Sequence, residues 1–306
     1  MTKLATTAAA EPATTTATVA GPVLDIRNLR TLFPTIDGDV VAIDDVSFVI
    51  NPGETVAVVG ESGSGKSVTA KSILRLTDYQ GGEVRSGSML YAPGTSAPMD
   101  LAKMELGDLR RVRGNEISMI FQEPLTSLNP VLKIGDQIAE AIILHQGKSR
   151  KEALAQALDA LQLVRIPDAG RRLMQYPHEL SGGMRQRAAI ARCLATAPGL
   201  LLLDEPFGAV DELTRLRLNE DLPKLWEARG TTTLLVTHAV AEAVLLADRV
   251  VVFSSRPGRV VADIPIPLPR PRLRDLTREP AFRALADQVT AALWGGAAGD
   301  HPLAAE

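Results

Sequence analysis

The chain contains, at positions 60 to 67, the stretch Gly60-Glu61-Ser62-Gly63-Ser64-Gly65-Lys66-Ser67. This stretch fits the pattern G-x-x-x-x-G-K-[ST] of a phosphate-binding loop. A short apolar, β-branched run from Thr55 to Val59 precedes it and predicts a buried strand, and the segment from Val68 to Leu76 contains no Gly or Pro and predicts a helix. A strand, a glycine-rich loop and a helix in this order form the context in which the pattern binds a nucleotide.

The residue types of this loop suit a polyanionic ligand. Glycines let backbone N–H groups approach phosphate oxygens without obstruction by a Cβ. The first helical turn, which includes Val68, adds unpaired N–H groups and the positive end of the helix dipole. Lys66 would supply a cation for the terminal phosphates, and the Ser67 hydroxyl is a hard oxygen suited to Mg²⁺. We therefore expect a nucleoside triphosphate with Mg²⁺.

The composition limits the alternatives. A chain of 306 residues predicts one large domain or one domain with a lobe, and a net charge of −3 gives no bulk basic field for nucleic acid. Cys193 is the only cysteine, which excludes a disulfide framework and cysteine-ligated metal sites and favours a small buried residue. No apolar run approaches the roughly 18 residues that would span a bilayer.

Strand and helix signals alternate along the chain, which predicts an α/β fold with a mostly parallel sheet. A helical stretch at about residues 126–192 interrupts this alternation. Residues 101–113 predict a further helix, and the prolines between Pro265 and Pro271 predict an extended linker. The ends are predicted as disordered tails at residues 1–21 and 295–306, with a final amphipathic helix at residues 276–294.

Two acidic residues, Asp204 and Glu205, directly follow the apolar run Leu200–Leu203. Ligands of open α/β sheets bind at the carboxyl ends of strands. Asp204 would then hold Mg²⁺ and Glu205 would polarise an attacking water. Taken alone, the pair could equally be a strand that meets solvent, but the phosphate-binding loop upstream favours the functional interpretation.

Three weaker signals accompany these motifs. The stretch Leu180-Ser181-Gly182-Gly183 offers a second glycine-rich turn at the start of a helix, which is either a second anion site or an ordinary capped helix start. His238 and Gln122 each follow a predicted strand. Either residue alone would more readily be structural than catalytic.

Together, five motifs resemble those of one family. In order they are the phosphate-binding loop, Phe121-Gln122-Glu123-Pro124, the Leu180–Gly183 signature, Asp204-Glu205-Pro206 and Val236-Thr237-His238. From about Val23 to Arg274 the chain resembles the nucleotide-binding subunit of an ATP-binding cassette (ABC) transporter. The resemblance implies a P-loop NTPase of the ABC fold at residues 22–275, with a RecA-like, mostly parallel core, an antiparallel β subdomain and an inserted helical subdomain.

The resemblance also implies the roles of the site residues. Two such domains would dimerise head to tail, and each ATP would lie between the phosphate-binding loop of one copy and Ser181, Gly182 and Gly183 of the other. Glu205 would be the general base, and His238 would contact the γ-phosphate and order the water. Gln122 would sense the Mg²⁺ that Ser67 and Asp204 hold and would report to the membrane subunits. Asp211 would belong to the loop 208–211 that crosses the dimer interface, and Phe33 is a candidate for stacking on adenine.

The implied partners are the transmembrane subunits of a permease, a second nucleotide-binding subunit and, indirectly, an extracytoplasmic solute-binding protein. The implied location is the cytoplasmic face of the cell membrane, with attachment through the permease. Other classes compete with this interpretation. They are a soluble ABC ATPase without a transport role, a small-molecule kinase, which would lack the signature and His238, and a module that binds nucleotide without hydrolysing it.

The resemblance to particular subfamilies changes along the chain. The stretches Asn115–Pro130 and Tyr176–Leu180 resemble ATPases of dipeptide and oligopeptide importers, whereas Asp204–Arg215 and Leu245–Pro257 resemble those of nitrate, sulfonate and taurine importers. The chain is therefore either a recombinant of two subfamilies or a divergent member of one. We expect peptides as the cargo, with nitrate, sulfonate or taurine as the alternative. Ala239 stands where the family usually has Asp, which predicts slower hydrolysis.

Overall fold

The computed structural model describes residues 21–94, 97–122, 127–208, 211–221 and 223–298. The strands in these residues are β1 (Leu24–Thr35), β2 (Gly38–Ile50), β3 (Thr55–Val59), β4 (Glu83–Tyr91), β5 (Met99–Asp100), β6 (Ile117–Ile120), β7 (Leu200–Asp204), β8 (Thr232–Val236), β9 (Arg249–Phe253) and β10 (Val260–Pro265). The α-helices are α1 (Lys66–Ile73), α2 (Leu106–Val112), α3 (Ile134–Gln146), α4 (Arg150–Leu163), α5 (Ala169–Arg172), α6 (Gly182–Leu194), α7 (Glu212–Asp221), α8 (Pro223–Arg229), α9 (Val240–Leu246) and α10 (Pro280–Ala298). Short 3-10 segments lie at Leu76–Gln80, Pro177–Glu179 and Arg274–Arg278.

The central sheet has the strand order β10-β9-β3-β8-β7-β6. Its strands pair in parallel except β10, which runs antiparallel to β9 at one edge. Strands β3, β7 and β8 are buried at every residue, as expected for parallel strands that are covered on both faces. The carboxyl ends of the parallel strands β3, β6, β7 and β8 therefore all point to the same end of the sheet. This is the end at which ligands of α/β sheets bind.

A second sheet packs against this core. It is antiparallel, with the order β2-β1-β4-β5, and its longest strands are β1 and β2. The fully buried side chains of Leu24, Ile43 and Met89 join Val56 and Ile73 in one hydrophobic cluster, so the second sheet and α1 share a core. The predicted α/β fold, with a mostly parallel core and an antiparallel subdomain, is confirmed.

The predicted helical insertion lies between two neighbouring strands. Strands β6 and β7 pair in parallel, with Ile117 opposite Leu200, and helices α3 to α6 occupy the chain between them. Helix α4 begins with a capping box in which the Ser149 hydroxyl accepts from Glu152 N–H and the Glu152 carboxylate accepts from Ser149 N–H. Apolar residues of α3, α4 and α6 share one hydrophobic cluster with side chains of the parallel sheet such as Ile120 and Leu203, and these helical residues include Ile138, Ile142, Ala153, Ala157, Leu161 and Ala191.

The C-terminal helix differs from its predicted extent. Helix α10 begins at Pro280 and continues to Ala298, so the prediction of a disordered tail is wrong for residues 295–298. A Cβ on Gly296 would lie 3.2 Å from Val261 Cγ2, which indicates that the glycine lets the last turns pack closely on β10. Residues 299–306 and 1–20, the remaining parts of the predicted tails, lie outside the described residues.

The proline-rich segment after β10 is not a free linker. Ile266 is buried, and the Arg272 side chain is only 3% exposed. Its guanidinium donates to the carbonyl oxygens of Ile266 and Leu268, both at 2.9 Å, and to that of Val244 at 3.3 Å. The prolines predicted a linker, but the hydrogen bonds of Arg272 hold the segment against α9.

Two further predictions concern single elements. Helix α2 begins at Leu106 rather than at residue 101, because Leu101 is fully buried and its N–H donates to Met89 O (2.9 Å) beside β4. Cys193 is buried, as predicted, and burial raises the pKa of its thiol to about 11. Among the described residues, no helix combines the length and the apolar character that a bilayer span requires.

Candidate active site

The phosphate-binding loop joins β3 to α1. Gly65 precedes the helix with a φ of 85°, and a Cβ at this position would lie 2.3 Å from Ile43 Cγ2, so the site requires glycine. Lys66 is buried, with 5% of the residue exposed. Its ammonium donates to the carbonyl oxygens of Gly60 (2.8 Å) and Glu61 (2.7 Å). Burial lowers the pKa of Lys66, and the nearby carboxylates of Glu205 and Asp204 oppose this effect.

A cavity of about 360 Å³ opens beside this loop. Its lining includes Phe33 and Val40 of the antiparallel sheet as well as the polar residues Gln122 and Glu205. The Phe33 ring also packs on Gly82, where a Cβ would lie 2.7 Å from the ring edge. The cavity thus combines an aromatic wall, a loop of N–H donors and a polar end, which together suit a nucleotide.

The partly buried Ser67 at the start of α1 and the buried Asp204 at the end of β7 form a pair of oxygen ligands. The Ser67 hydroxyl donates to Asp204 Oδ1 at 2.6 Å. The other carboxylate oxygen, Oδ2, is buried and has no hydrogen-bond partner among the described residues. Burial raises the pKa of Asp204, and the hydrogen bond from Ser67 opposes this effect. A buried carboxylate oxygen without a donor is a feature that a bound cation would satisfy.

The structure brings Glu205, Gln122 and His238 together. Glu205 Oε2 accepts a hydrogen bond from Gln122 Nε2 at 3.3 Å and lies 3.2 Å from His238 Nδ1. Glu205 itself adopts a φ of 47°, and its N–H donates to Val236 O (2.9 Å) on the neighbouring strand. A left-handed conformation is uncommon outside glycine and is found at sites where function fixes the backbone. Gln122 and His238, two of the predicted catalytic residues, therefore contact the same carboxylate oxygen of the third, Glu205.

The signature residues begin α6. The Ser181 hydroxyl accepts from Met184 N–H at 3.3 Å, so an ordinary helix cap is present at this position. Ser181, Gly182 and Gly183 are not among the described residues that line the cavity beside the phosphate-binding loop. Within one chain, therefore, the two predicted anion sites do not form a single pocket.

Two side chains of α6 donate hydrogen bonds to backbone carbonyl oxygens outside the helix, one of them directly after Glu205 in the chain. Gln186 is fully buried and its Nε2 donates to Pro206 O, directly after Glu205. Arg192 Nη1 donates to Ser127 O at 2.8 Å, in the segment that follows Gln122. These contacts could not be predicted from the sequence, because a polar residue on a helix does not identify its distant backbone acceptor.

Asp211 caps the next helix. Its Oδ1 accepts from Thr214 N–H at 3.0 Å and its carbonyl oxygen accepts from Arg215 N–H at 2.9 Å, at the start of α7. Residues 209 and 210 of the predicted interface loop lie outside the described residues, as do Glu123 and Pro124 after Gln122.

Ala239 occupies the N-cap position of α9, with extended backbone (φ −93°, ψ 106°) and no side chain to accept a hydrogen bond. An Asp here would accept from a first-turn N–H, which typically contributes about 1 kcal/mol. We therefore predict that Ala239→Asp raises the unfolding temperature by about 2–4 °C and increases the ATPase rate. Differential scanning calorimetry and phosphate release measure the two effects.

Ala239→Asn is the matched control for this prediction, since Asn also caps but carries no charge. A rate increase with Asp alone would assign the effect to the charge near His238. An ATPase rate unchanged in both variants would show that the departure at residue 239 does not slow the enzyme.

The comparisons with known proteins agree on one family. The ABC transporter family profile matches residues 43–208. A protein of Brucella melitensis named as a peptide import ATP-binding protein is 50% identical over 245 residues, which cover 80% of this chain and 72% of that protein. The glutathione import ATP-binding protein GsiA of Escherichia coli is 43% identical over 233 residues, which cover 76% of this chain and 37% of that protein.

A solved structure extends the comparison to the fold. The dimeric ATP-binding cassette MJ0796, bound to ADP and Pi after hydrolysis, is similar with a TM-score of 0.68 and 26% identity, and the match covers 79% of this chain and 98% of that one. The chain belongs to the ABC transporter family, and its cassette is the ATP-binding, ATP-hydrolysing part of such a system. The alignment of 245 residues with the Brucella protein is longer than the chain up to Arg187, so it includes residues beyond the signature.

Proposed function

We propose that this chain is the ATP-hydrolysing subunit of an importer for peptides. The observation that carries the proposal is the Glu205 carboxylate, which contacts Gln122 Nε2 and His238 Nδ1 at the edge of the cavity formed by the phosphate-binding loop. A carboxylate in this position can accept the proton of an attacking water. The names of the Brucella and E. coli relatives support import of peptides or glutathione.

Each half of the site has a distinct task in this proposal. The backbone N–H groups of the loop and the Lys66 ammonium bind the phosphates. Phe33 stacks on the base, which its position in the cavity supports. Glu205 accepts the proton, and His238 holds that carboxylate and the γ-phosphate in register. Gln122 bonds the same carboxylate and continues into the segment that would report to the permease.

Mg²⁺ fits the residues present. Ser67 supplies a hydroxyl, Asp204 a buried carboxylate oxygen without a donor, and Gln122 an amide. No group of three or more His, Cys, Asp or Glu side chains in the described part of the chain is arranged to hold a metal, which agrees with Mg²⁺ because that ion takes most of its ligands from nucleotide and water. When bound, it would neutralise charge on the phosphates.

The second half of each ATP site comes, in this proposal, from another cassette. Ser181, Gly182 and Gly183 form an N–H-rich helix start that lies apart from this chain's own cavity. A head-to-tail dimer would bring that helix start onto the partner's nucleotide, with Asp211 near the shared interface. The similarity to MJ0796, a cassette that is dimeric with ADP and Pi bound, supports the formation of a dimer.

The permease would dock at the cleft between the core and the helical insertion. Leu76, Phe121 and Ala141 line this apolar cleft of about 220 Å³. Phe121 directly precedes Gln122 in the chain. Leu144, three residues beyond Ala141 on α3, is 74% exposed. Such docking would place the chain at the cytoplasmic face of the membrane, and a solute-binding protein would act through the permease.

The test is assembly with a permease of the peptide type. We expect the chain to co-purify with such a permease and its ATPase rate to rise when a peptide-loaded binding protein is added. Leu144→Glu should weaken co-purification, whereas Ile36→Glu, at a fully exposed apolar residue between β1 and β2, should not. Assembly with only a nitrate, sulfonate or taurine permease would replace the cargo, and assembly with no permease would favour a soluble ABC ATPase.

A further inference from the structure

An exposed arginine, Arg256, stands at the phosphate end of the nucleotide cavity. It lines the cavity together with Ser62, Gly63 and Lys66. A Cβ built on Gly63 would lie 3.4 Å from Arg256 Nη2, so the guanidinium lies against the phosphate-binding loop itself. Arg256 lies within the stretch Leu245–Pro257 that resembles nitrate, sulfonate and taurine importer ATPases, but neither the motifs nor the resemblance gave it a role.

The backbone that carries Arg256 is held firmly against the loop. Ser254 N–H donates to Arg259 O (2.9 Å), and Ser254 Oγ donates to Pro257 O (3.1 Å), which closes the turn. Gly258 N–H donates to Ala42 O at 3.0 Å. A Cβ on Gly258 would lie 2.0 Å from Ser64 O, so only glycine permits this contact between the turn and the phosphate-binding loop.

The charge of Arg256 is not used within the described structure. Neighbouring arginines have carboxylate partners, since Arg259 pairs with Asp44 at 2.6 Å and Arg249 pairs with Glu54 at 2.9 Å. No hydrogen bond or ion pair to another described residue holds the Arg256 guanidinium. It is therefore an uncompensated cation on a fixed turn, next to a loop built for polyanions.

We propose that Arg256 binds a phosphate group of the nucleotide, as a second cation beside Lys66. A planar guanidinium can donate two parallel hydrogen bonds to phosphate oxygens, which an ammonium cannot do. The proposal rests on the proposed nucleotide site and adds to it a residue that would favour nucleotides with a phosphate chain. In this proposal, Lys66 binds the phosphates from within the phosphate-binding loop, and Arg256 binds them from the turn after β9.

The experiment measures equilibrium binding of ADP by isothermal titration calorimetry, since ADP does not require the closed dimer. We expect Arg256→Ala to weaken ADP binding about tenfold and Arg256→Lys to have a smaller effect. The loss should shrink at high salt, because the contact is charge-assisted and partly exposed. Arg111→Ala, which removes the same charge from an 85% exposed side chain on α2, is the control and should not change binding.

Several results would overturn the proposal. One is ADP binding by Arg256→Ala within about twofold of the wild type. Another is an equal loss in Arg111→Ala, which would indicate a general charge effect. A third is unchanged ADP binding with lost ATP-dependent dimerisation, which would assign Arg256 to the partner interface. If the wild-type chain itself bound no nucleotide, the proposed function would fail instead.

Discussion

A Glu205→Gln variant is expected to hydrolyse ATP about 100- to 10,000-fold more slowly than the wild type, because an amide cannot accept the proton of the attacking water. Gln has the size of Glu, so binding of ATP and folding should persist. Each bound ATP would then hold the dimer closed. Phosphate release should fall, and size-exclusion chromatography with ATP should show a stable dimer.

The matched control for this prediction is Glu83→Gln, an equal change at an exposed carboxylate on β4. It should hydrolyse ATP at the wild-type rate. If Glu205→Gln also retained the wild-type rate, Glu205 would not be the base, and the contacts from Gln122 and His238 would need a different explanation.

The second large effect concerns the division of the ATP site between two chains. Lys66→Ala removes the cation from the phosphate-binding loop, and Gly182→Asp adds an anion at the signature. Each variant should lower the ATPase rate about 100-fold or more, since each disturbs the charge that faces the triphosphate. A Cβ at Gly182 meets no atom within 4 Å, so the fold leaves room for a side chain to begin at this position.

Mixing the two inactive proteins should restore part of the activity. In a mixed dimer, one ATP site would contain both defects and the other would contain an intact Lys66 and an intact signature. A mixture of Lys66→Ala with Glu205→Gln is the control, because both residues would serve the same half-site and each site would keep one defect. Failure of the first mixture to recover, with mixed dimers present, would contradict the composite site.

The sequence predicted the elements whose chemistry depends on local spacing. The loop Gly60–Ser67 needs a strand before it and a helix after it, and both neighbours are legible in a few residues. The same holds for Asp204 and Glu205, which end a run of four leucines. The parallel sheet then brings the ends of these strands together, which explains why Gln122, Glu205 and His238 converge although their positions span more than a hundred residues.

Contacts that depend on distant packing could not be predicted. Arg256 belongs to the turn after β9, the strand next to the edge strand β10. Only the close contact of Gly258 with Ser64 shows that this turn borders the cavity. Gln186 and Arg272 are polar residues that packing buries against backbone carbonyls, and no sequence period marks such acceptors. The proline-rich segment was predicted to be a linker because its composition indicates a stiff backbone. The composition does not indicate which surface the segment contacts.

The helical insertion leaves the central sheet at β6 and returns to it at the adjacent strand β7. Its two points of attachment are therefore separated by about one strand spacing of 4.8 Å. An exchange of helices α3 to α5 would leave both the order of the sheet and the signature at the start of α6 unchanged. An ATPase of this kind could thus be adapted to a new permease by replacement of these helices. The carboxylates at the carboxyl ends of the central strands would be inherited without change.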